Sequence, residues 1–164
     1  MKQIILHWTA GSYHPNYVDF EHYHFLITGE GLRVIGNYEP EDNLDCKDGK
    51  YAAGAEGGNT GTIHIALCGM YGYKSSKDFG EFPINQKQFE EMCKLCAELC
   101  LKYGIKITAK TVLTHYEFDK NRGKEGRKID ITCLPFLPDM KKNEIGKYIR
   151  NKVNWYKLKL EEKI

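Results

Sequence analysis

The sequence predicts an α/β domain, a central mixed β-sheet flanked by helices, and three observations predict it. Apolar runs such as "QIILHWTA" and "TIHIALCGM" read as buried strands. The stretch 86–103 repeats its apolar residues at helical spacing. Strand-like and helix-like segments are mixed along the chain, with neither an internal repeat nor an interdomain linker, so one sheet with helices packed on it accounts for all of them. At 164 residues this is one domain, long enough to bury a real core.

Each element follows from its own residues. "QIILHWTA" is the first strand, and it closes on His7 with Trp8 behind it. His14 sits in a turn beside Pro15 and is expected to be exposed. The interval from Gly11 to His22 has room for a turn or one short helical stretch. "YHFLIT" and "LRVIGN" flank Gly29-Glu30-Gly31 and read as a hairpin. On its first strand His22 and His24 would share a face and could chelate, with Tyr23 on the other face. The alternative makes Tyr23 an amphipathic core residue and His24 a hydrogen-bonded buried histidine.

Residues 38–61 form a polar, Gly-rich stretch without periodicity. Loops of that length in a compact domain are functional or disordered. The glycines lead into a strand, not a helix, and no GxGxxG or Walker pattern is present, so a nucleotide site is rejected. "TIHIALCGM" carries His64 on a buried strand, where a structural role is the expectation. Asn85 and Gln88 have the spacing of a reciprocal cap, the helix runs from Gln86 to Tyr103, and Gly104 stops it. "TAKTVLTHYE" is read as another buried strand closing on His115. "FDKNRGKEGRKID" is read as a polar loop, and a basic helix closes the chain after Pro135 and Pro138.

Composition narrows the partners. Hydrophobic residues at 41% and charged residues at 28% describe a globular chain, and no apolar run reaches the ~18 residues of a membrane span. Met1-Lys2-Gln3 enters the first strand without a signal-peptide h-region, so synthesis in a cytoplasm is expected. That setting keeps the six cysteines reduced. Cys93, Cys96 and Cys100 fall on the apolar helix face as small core residues, with a Cys-x-x-Cys metal or redox pair as the alternative. Residues 141–164 hold eight Lys/Arg against three Glu, +5, which leaves −3 for residues 1–140 of a chain with net charge +2. A basic helical extension over 141–164 on a body spanning 1–140 fits an anionic wall or membrane surface, or is a solvated helix face. It is a poor basis for nucleic-acid binding.

The chemistry concentrates where apolar runs end on imidazoles. "IILHW" and "TVLTHYE" place His7 and His115 at the ends of buried strands, which can meet at one edge of the sheet. With Asp130 from "GRKID" they form a donor set suited to tetrahedral Zn²⁺ with one position left for water. Ordinary hydrogen-bonded strand-end histidines are the alternative. Lys128, two residues before Asp130, faces the same way if the segment is extended. Its ammonium would then sit where negative charge develops on a substrate oxygen.

"HWTAG", "YHFLITGEG", "NTGTIHIALCGM", "THYEF" and "GRKID", in this order over residues 4–137, resemble the type-2 N-acetylmuramoyl-L-alanine amidases. That family shares its fold with bacteriophage lysozyme-type amidases and peptidoglycan recognition proteins. The resemblance implies a zinc enzyme cleaving the lactyl-amide bond between N-acetylmuramic acid and L-alanine of peptidoglycan. It assigns His7, His115 and Asp130 to the metal, Lys128 to oxyanion stabilisation and Tyr23 to the catalytic tyrosine of phage-type members. Recycling amidases carry a glutamate where this chain has Ala66. The implied setting is a phage or prophage endolysin, made in the cytoplasm and acting on the wall after release. A cytoplasmic muropeptide-recycling amidase and a non-catalytic peptidoglycan-binding module are the alternatives.

Overall fold

The computed structural model describes residues 1–163. Its elements, in chain order, are β1 (Gln3–Trp8), α1 (Tyr17–His22), β2 (Phe25–Ile27), β3 (Arg33–Ile35), a 3-10 turn (Pro40–Leu44), β4 (Thr62–Leu67), α2 (Gln86–Tyr103), β5 (Val112–Thr114), α3 (His115–Asn121) and α4 (Lys142–Glu162). The strands form one sheet in the order β3-β2-β4-β1-β5. β1 pairs in parallel with β4 and β5, β2 pairs in parallel with β4, and the β2–β3 hairpin is antiparallel. The sheet is therefore mixed, as expected.

Alternation along the central strands sorts their side chains onto two different layers. Ile4, Leu6 and Trp8 of β1 and Ile63, Ile65 and Leu67 of β4 join the main core. There they meet Phe89, Met92 and Cys96 of α2 and Ile145, Ile149 and Val153 of α4. The opposite face carries Ile5, Leu113, Leu26 and Ala66, and is covered by Ala55 of the 38–61 stretch and by Phe20 and Tyr23 around α1. By the period of two, His7 and His64 fall on this second face.

α2 forms where the sequence places it. The Asn85 side chain accepts from Gln88 N–H, the Gln88 side chain answers to Asn85 N–H, and Gly104 closes the helix with φ of 66°. Cys93, Cys96 and Cys100 are buried free thiols on its apolar face. Two stretches differ from the sequence reading. "TVLTHYE" is not a strand ending on His115: β5 stops at Thr114, whose hydroxyl caps α3 while Glu117 reaches back. His115 thus opens a helix, and part of the expected polar loop is that helix. Residues 38–61 lack apolar periodicity but are ordered by a polar side chain. Asn43, fully buried, bonds to Ala52 N–H, Ala52 C=O and Asn59 C=O.

α4 packs its Ile145, Ile149 and Val153 on the core, and much of its basic character is paired. Arg150 meets Glu117, Lys152 meets Glu90, Lys157 meets Glu161 and Lys159 meets Glu162. No helix among the described residues is long and apolar enough to cross a membrane.

Candidate metal and catalytic site

Strand register brings the two histidines together. Leu6 of β1 is the partner of Thr114 of β5, so the next residues, His7 and His115, come out side by side at the carboxyl ends of parallel strands. Their ring centroids are 4.8 Å apart. Asp130 arrives from the segment after α3, and its carbonyl accepts Tyr116 N–H at 2.7 Å, which ties that segment to the start of the helix. Asp130 Oδ2 lies 3.0 Å from His7 Nδ1 and 3.5 Å from His115 Nδ1. One donor atom from each of the three buried residues lies within 4.8 Å of the others.

The electrostatics favour a cation between them. Burial, the dominant influence, lowers the His7 pKa to about 4, so its imidazole is neutral at pH 7. Burial pushes the Asp130 carboxyl up, but the adjoining His115 and His7 imidazoles outweigh it and hold the group well below the usual carboxylate range. A neutral imidazole and an ionised carboxylate are the protonation states a metal requires. Among the described residues Asp130 pairs with no Lys or Arg, so its charge faces the two imidazoles. His115 adds a second sign: its Nε2 is buried without a hydrogen-bond partner, 4.0 Å from Asp119 Oδ2. Asp119 is itself held by Arg122 at 2.7 Å and Arg127 at 3.2 Å. The residues present fit a divalent ion.

These donors open onto a cleft of about 510 Å³ whose lining includes Trp8, Tyr23, Met70, Tyr73 and Lys128. Ala10 and Met70 line it with φ of 60° and 72°, left-handed values that non-glycine residues rarely hold and that gather at functional sites. Lys128 is exposed, stands two residues from Asp130 on the same cleft, and has no carboxylate within ion-pairing distance among the described residues. Tyr23 follows α1, with its ring 5.0 Å from that of His7. Burial first, then the charge of Asp130, pushes its phenol far up, so Tyr23 is a proton-bearing donor at neutral pH and not a phenolate.

The expected His22–His24 chelate does not form. α1 ends at His22 and β2 begins at Phe25, so the two rings never share a pleated face. His22 lines the cleft, whereas His24 turns inward with both nitrogens used: Nε2 donates to Asn43 Oδ1 and Nδ1 accepts His64 N–H. The sequence reading gave no part to Asn59, Asp119 or Arg127, and left His64 as structural. For His64 a signal existed, because the period of two places it on the same face of β4 as Ala66, the register partner of His7.

A stability consequence follows from the buried rings. Burial lowers both His7 and His24 to about 4, against 6.5 when unfolded. Between those values the unfolded chain binds more protons than the folded one, so acid favours unfolding. Urea unfolding of the metal-free protein should show stability falling from pH 6.5 towards pH 4 by about 1.4 kcal/mol per pH unit for each of the two rings. A flat profile over that window would show that these rings are not held neutral.

A cleft where parallel strand ends converge two imidazoles and a carboxylate, beside a phenol and a free ammonium, defines a hydrolase site. The family described as N-acetylmuramoyl-L-alanine amidase matches residues 1–131, and the chain belongs to that family, as an amidase. Two solved structures show the same fold. An N-acetylmuramoyl-L-alanine amidase, LysC from Clostridium intestinale, is 16% identical, with 93% of this chain and 85% of that chain covered and a TM-score of 0.57. The Staphylococcus aureus hydrolase AmiA, in complex with its ligand, is 16% identical, with 99% and 76% covered and a TM-score of 0.63. A search of curated proteins gives no match.

Proposed function

We propose that the chain is a zinc-dependent amidase that cleaves the lactyl-amide bond between N-acetylmuramic acid and L-alanine in peptidoglycan. The observation that carries this is the convergence of His7, His115 and Asp130, each offering a donor atom within 4.8 Å of the others. Zinc held there would supply a Lewis acid for the scissile carbonyl and an acidic water as nucleophile. The protein's own groups do the rest. Lys128 places its ammonium at the cleft, where the carbonyl oxygen gains charge as the carbon becomes tetrahedral. Tyr23 keeps its proton and so orients the attacking water or the substrate as a donor; it does not serve as a base. Ala66 leaves no carboxylate opposite His7, which supports the tyrosine arrangement over a glutamate one.

The proposal divides the chain into a catalytic body, residues 1–140, and the basic helix beyond it. α4 stays docked through Ile145, Ile149 and Val153, and Lys142 and Lys147, exposed and without an ion pair among the described residues, are contacts for an anionic wall or membrane. The setting in this proposal is host-wall lysis by a phage or prophage endolysin made in the cytoplasm.

The test is digestion of purified peptidoglycan before and after chelation, alongside soluble anhydro-muropeptides. The expected result is new L-alanine amino termini without new reducing sugar ends, lost with chelator and regained with zinc, and faster on intact sacculi. New reducing ends would sink the amidase reading. Indifference to chelation would sink the zinc, and a preference for soluble muropeptides would sink the lytic role.

A further inference from the structure

Four imidazoles cross the loop-covered face of the sheet in strand order: His24, His64, His7 and His115. Successive ring centroids are 5.8, 5.0 and 4.8 Å apart. The zinc reading uses only the last two. The other two are joined to them by hydrogen bonds whose directions are fixed, and those directions reach the metal site.

The direction is set at Asn59. Its Oδ1 accepts the backbone N–H of Ala55 at 2.9 Å, so the oxygen end of the amide is identified, and a carbonyl oxygen only accepts. His64 Nε2 lies 2.8 Å from that same oxygen and therefore carries a proton. His64 is fully buried, and among the described residues no carboxylate lies within ion-pairing distance of it, so its ring stays neutral with one proton. Its Nδ1 is then a bare acceptor, 2.9 Å from His7 Nε2, so His7 donates from Nε2. The remaining nitrogen, His7 Nδ1, has only a lone pair, and it faces Asp130 Oδ2 at 3.0 Å. Two acceptors meeting at that distance repel unless a cation lies between them.

We propose that Asn59 and His64 are positioning residues: the chain Asn59–His64–His7 holds His7 in the tautomer that presents Nδ1 to the metal. This rests on the zinc reading above, and it gives the Gly-rich stretch 38–61 a purpose. That stretch supplies Asn59 and also the room for His64, since a Cβ at Gly54 would lie 2.6 Å from the ring. The same device occurs one strand over. Asn43 Oδ1 accepts Ala52 N–H and His24 Nε2–H, which leaves His24 Nδ1 to accept His64 N–H and brace β4 at that residue. Outer partners of this kind change metal affinity by about 10–100-fold.

Two measurements on the full chain test it. Long-range ¹⁵N–¹H correlation spectra of the metal-free protein should show His64 as the Nε2–H tautomer. Competition with a chromophoric chelator should show zinc affinity falling about 10–100-fold in His64→Leu and Asn59→Leu. His64→Asn, whose Oδ1 falls near the place of Nδ1, should recover most of the loss. An Nδ1–H tautomer at His64, or leucine variants that bind zinc as tightly as the wild type, overturns the positioning role while leaving the zinc site intact. A wild-type chain that shows the expected tautomer but takes up no zinc overturns the metal reading, and with it the purpose assigned to the relay. The spectrum needs no variant, so a misfolded His64→Leu does not decide the matter.

Discussion

Asp130→Asn is expected to abolish stoichiometric zinc binding and to lower amidase turnover by at least about 10³-fold, with the fold retained. Asparagine keeps the volume of the side chain and a carbonyl oxygen near Oδ2. What it removes is the negative charge, the only formal charge among the three proposed ligands. His7 and His115 are left as two neutral donors in a buried site, and nothing offsets the cost of stripping water from a divalent ion. Because the carboxylate is favoured in the folded state, the apo variant should lose some stability in urea while keeping a single cooperative transition. Loss of zinc together with a retained cooperative transition is a combination that misfolding does not produce. A variant that retained one equivalent of zinc and wild-type turnover would remove Asp130 from the site.

The three donors that lie together were named in the sequence as candidates, an aspartate two residues after a lysine and histidines at the ends of "IILHW" and "TVLTHYE", and the motif resemblance grouped them. The register Leu6↔Thr114 converts those strand ends into neighbours. α2 was legible because Asn85, Gln88 and Gly104 satisfy its ends using residues within the helix or beside it. The start of α3 was misread although its signal was present. Thr114 and Glu117 make the same reciprocal cap, but the apolar run before them extended the strand reading across it. What the sequence hides is order imposed by polar contacts between distant residues. Asn43 and Asn59 look like loop asparagines until His24 and His64, 19 and 5 residues away, are seen to donate to them. The charge count of α4 misleads in the same way, because Glu90 and Glu117 come from other helices.

Lys128→Met should lower kcat by about 10²–10³-fold while leaving zinc content and KM near wild type. Methionine keeps most of the length and the apolar stem of lysine, so the cleft wall beside Ile129 and Asp130 changes little. The loss falls on the one step in which the carbonyl oxygen acquires charge, which is why it should appear in kcat and not in ground-state binding. Exposure makes the claim demanding. An ammonium in open water is worth little to a distant charge, whereas one aimed at a bound substrate in a partly closed cleft is worth about 3–4 kcal/mol. Lys128→Arg keeps the charge but spreads it over a planar group with different reach, so partial recovery is expected. If Lys128→Met raised KM and left kcat alone, the lysine would be a substrate-binding group. If it changed neither, the ammonium would be solvated in the working enzyme, and the oxyanion would have to be stabilised at the metal site alone.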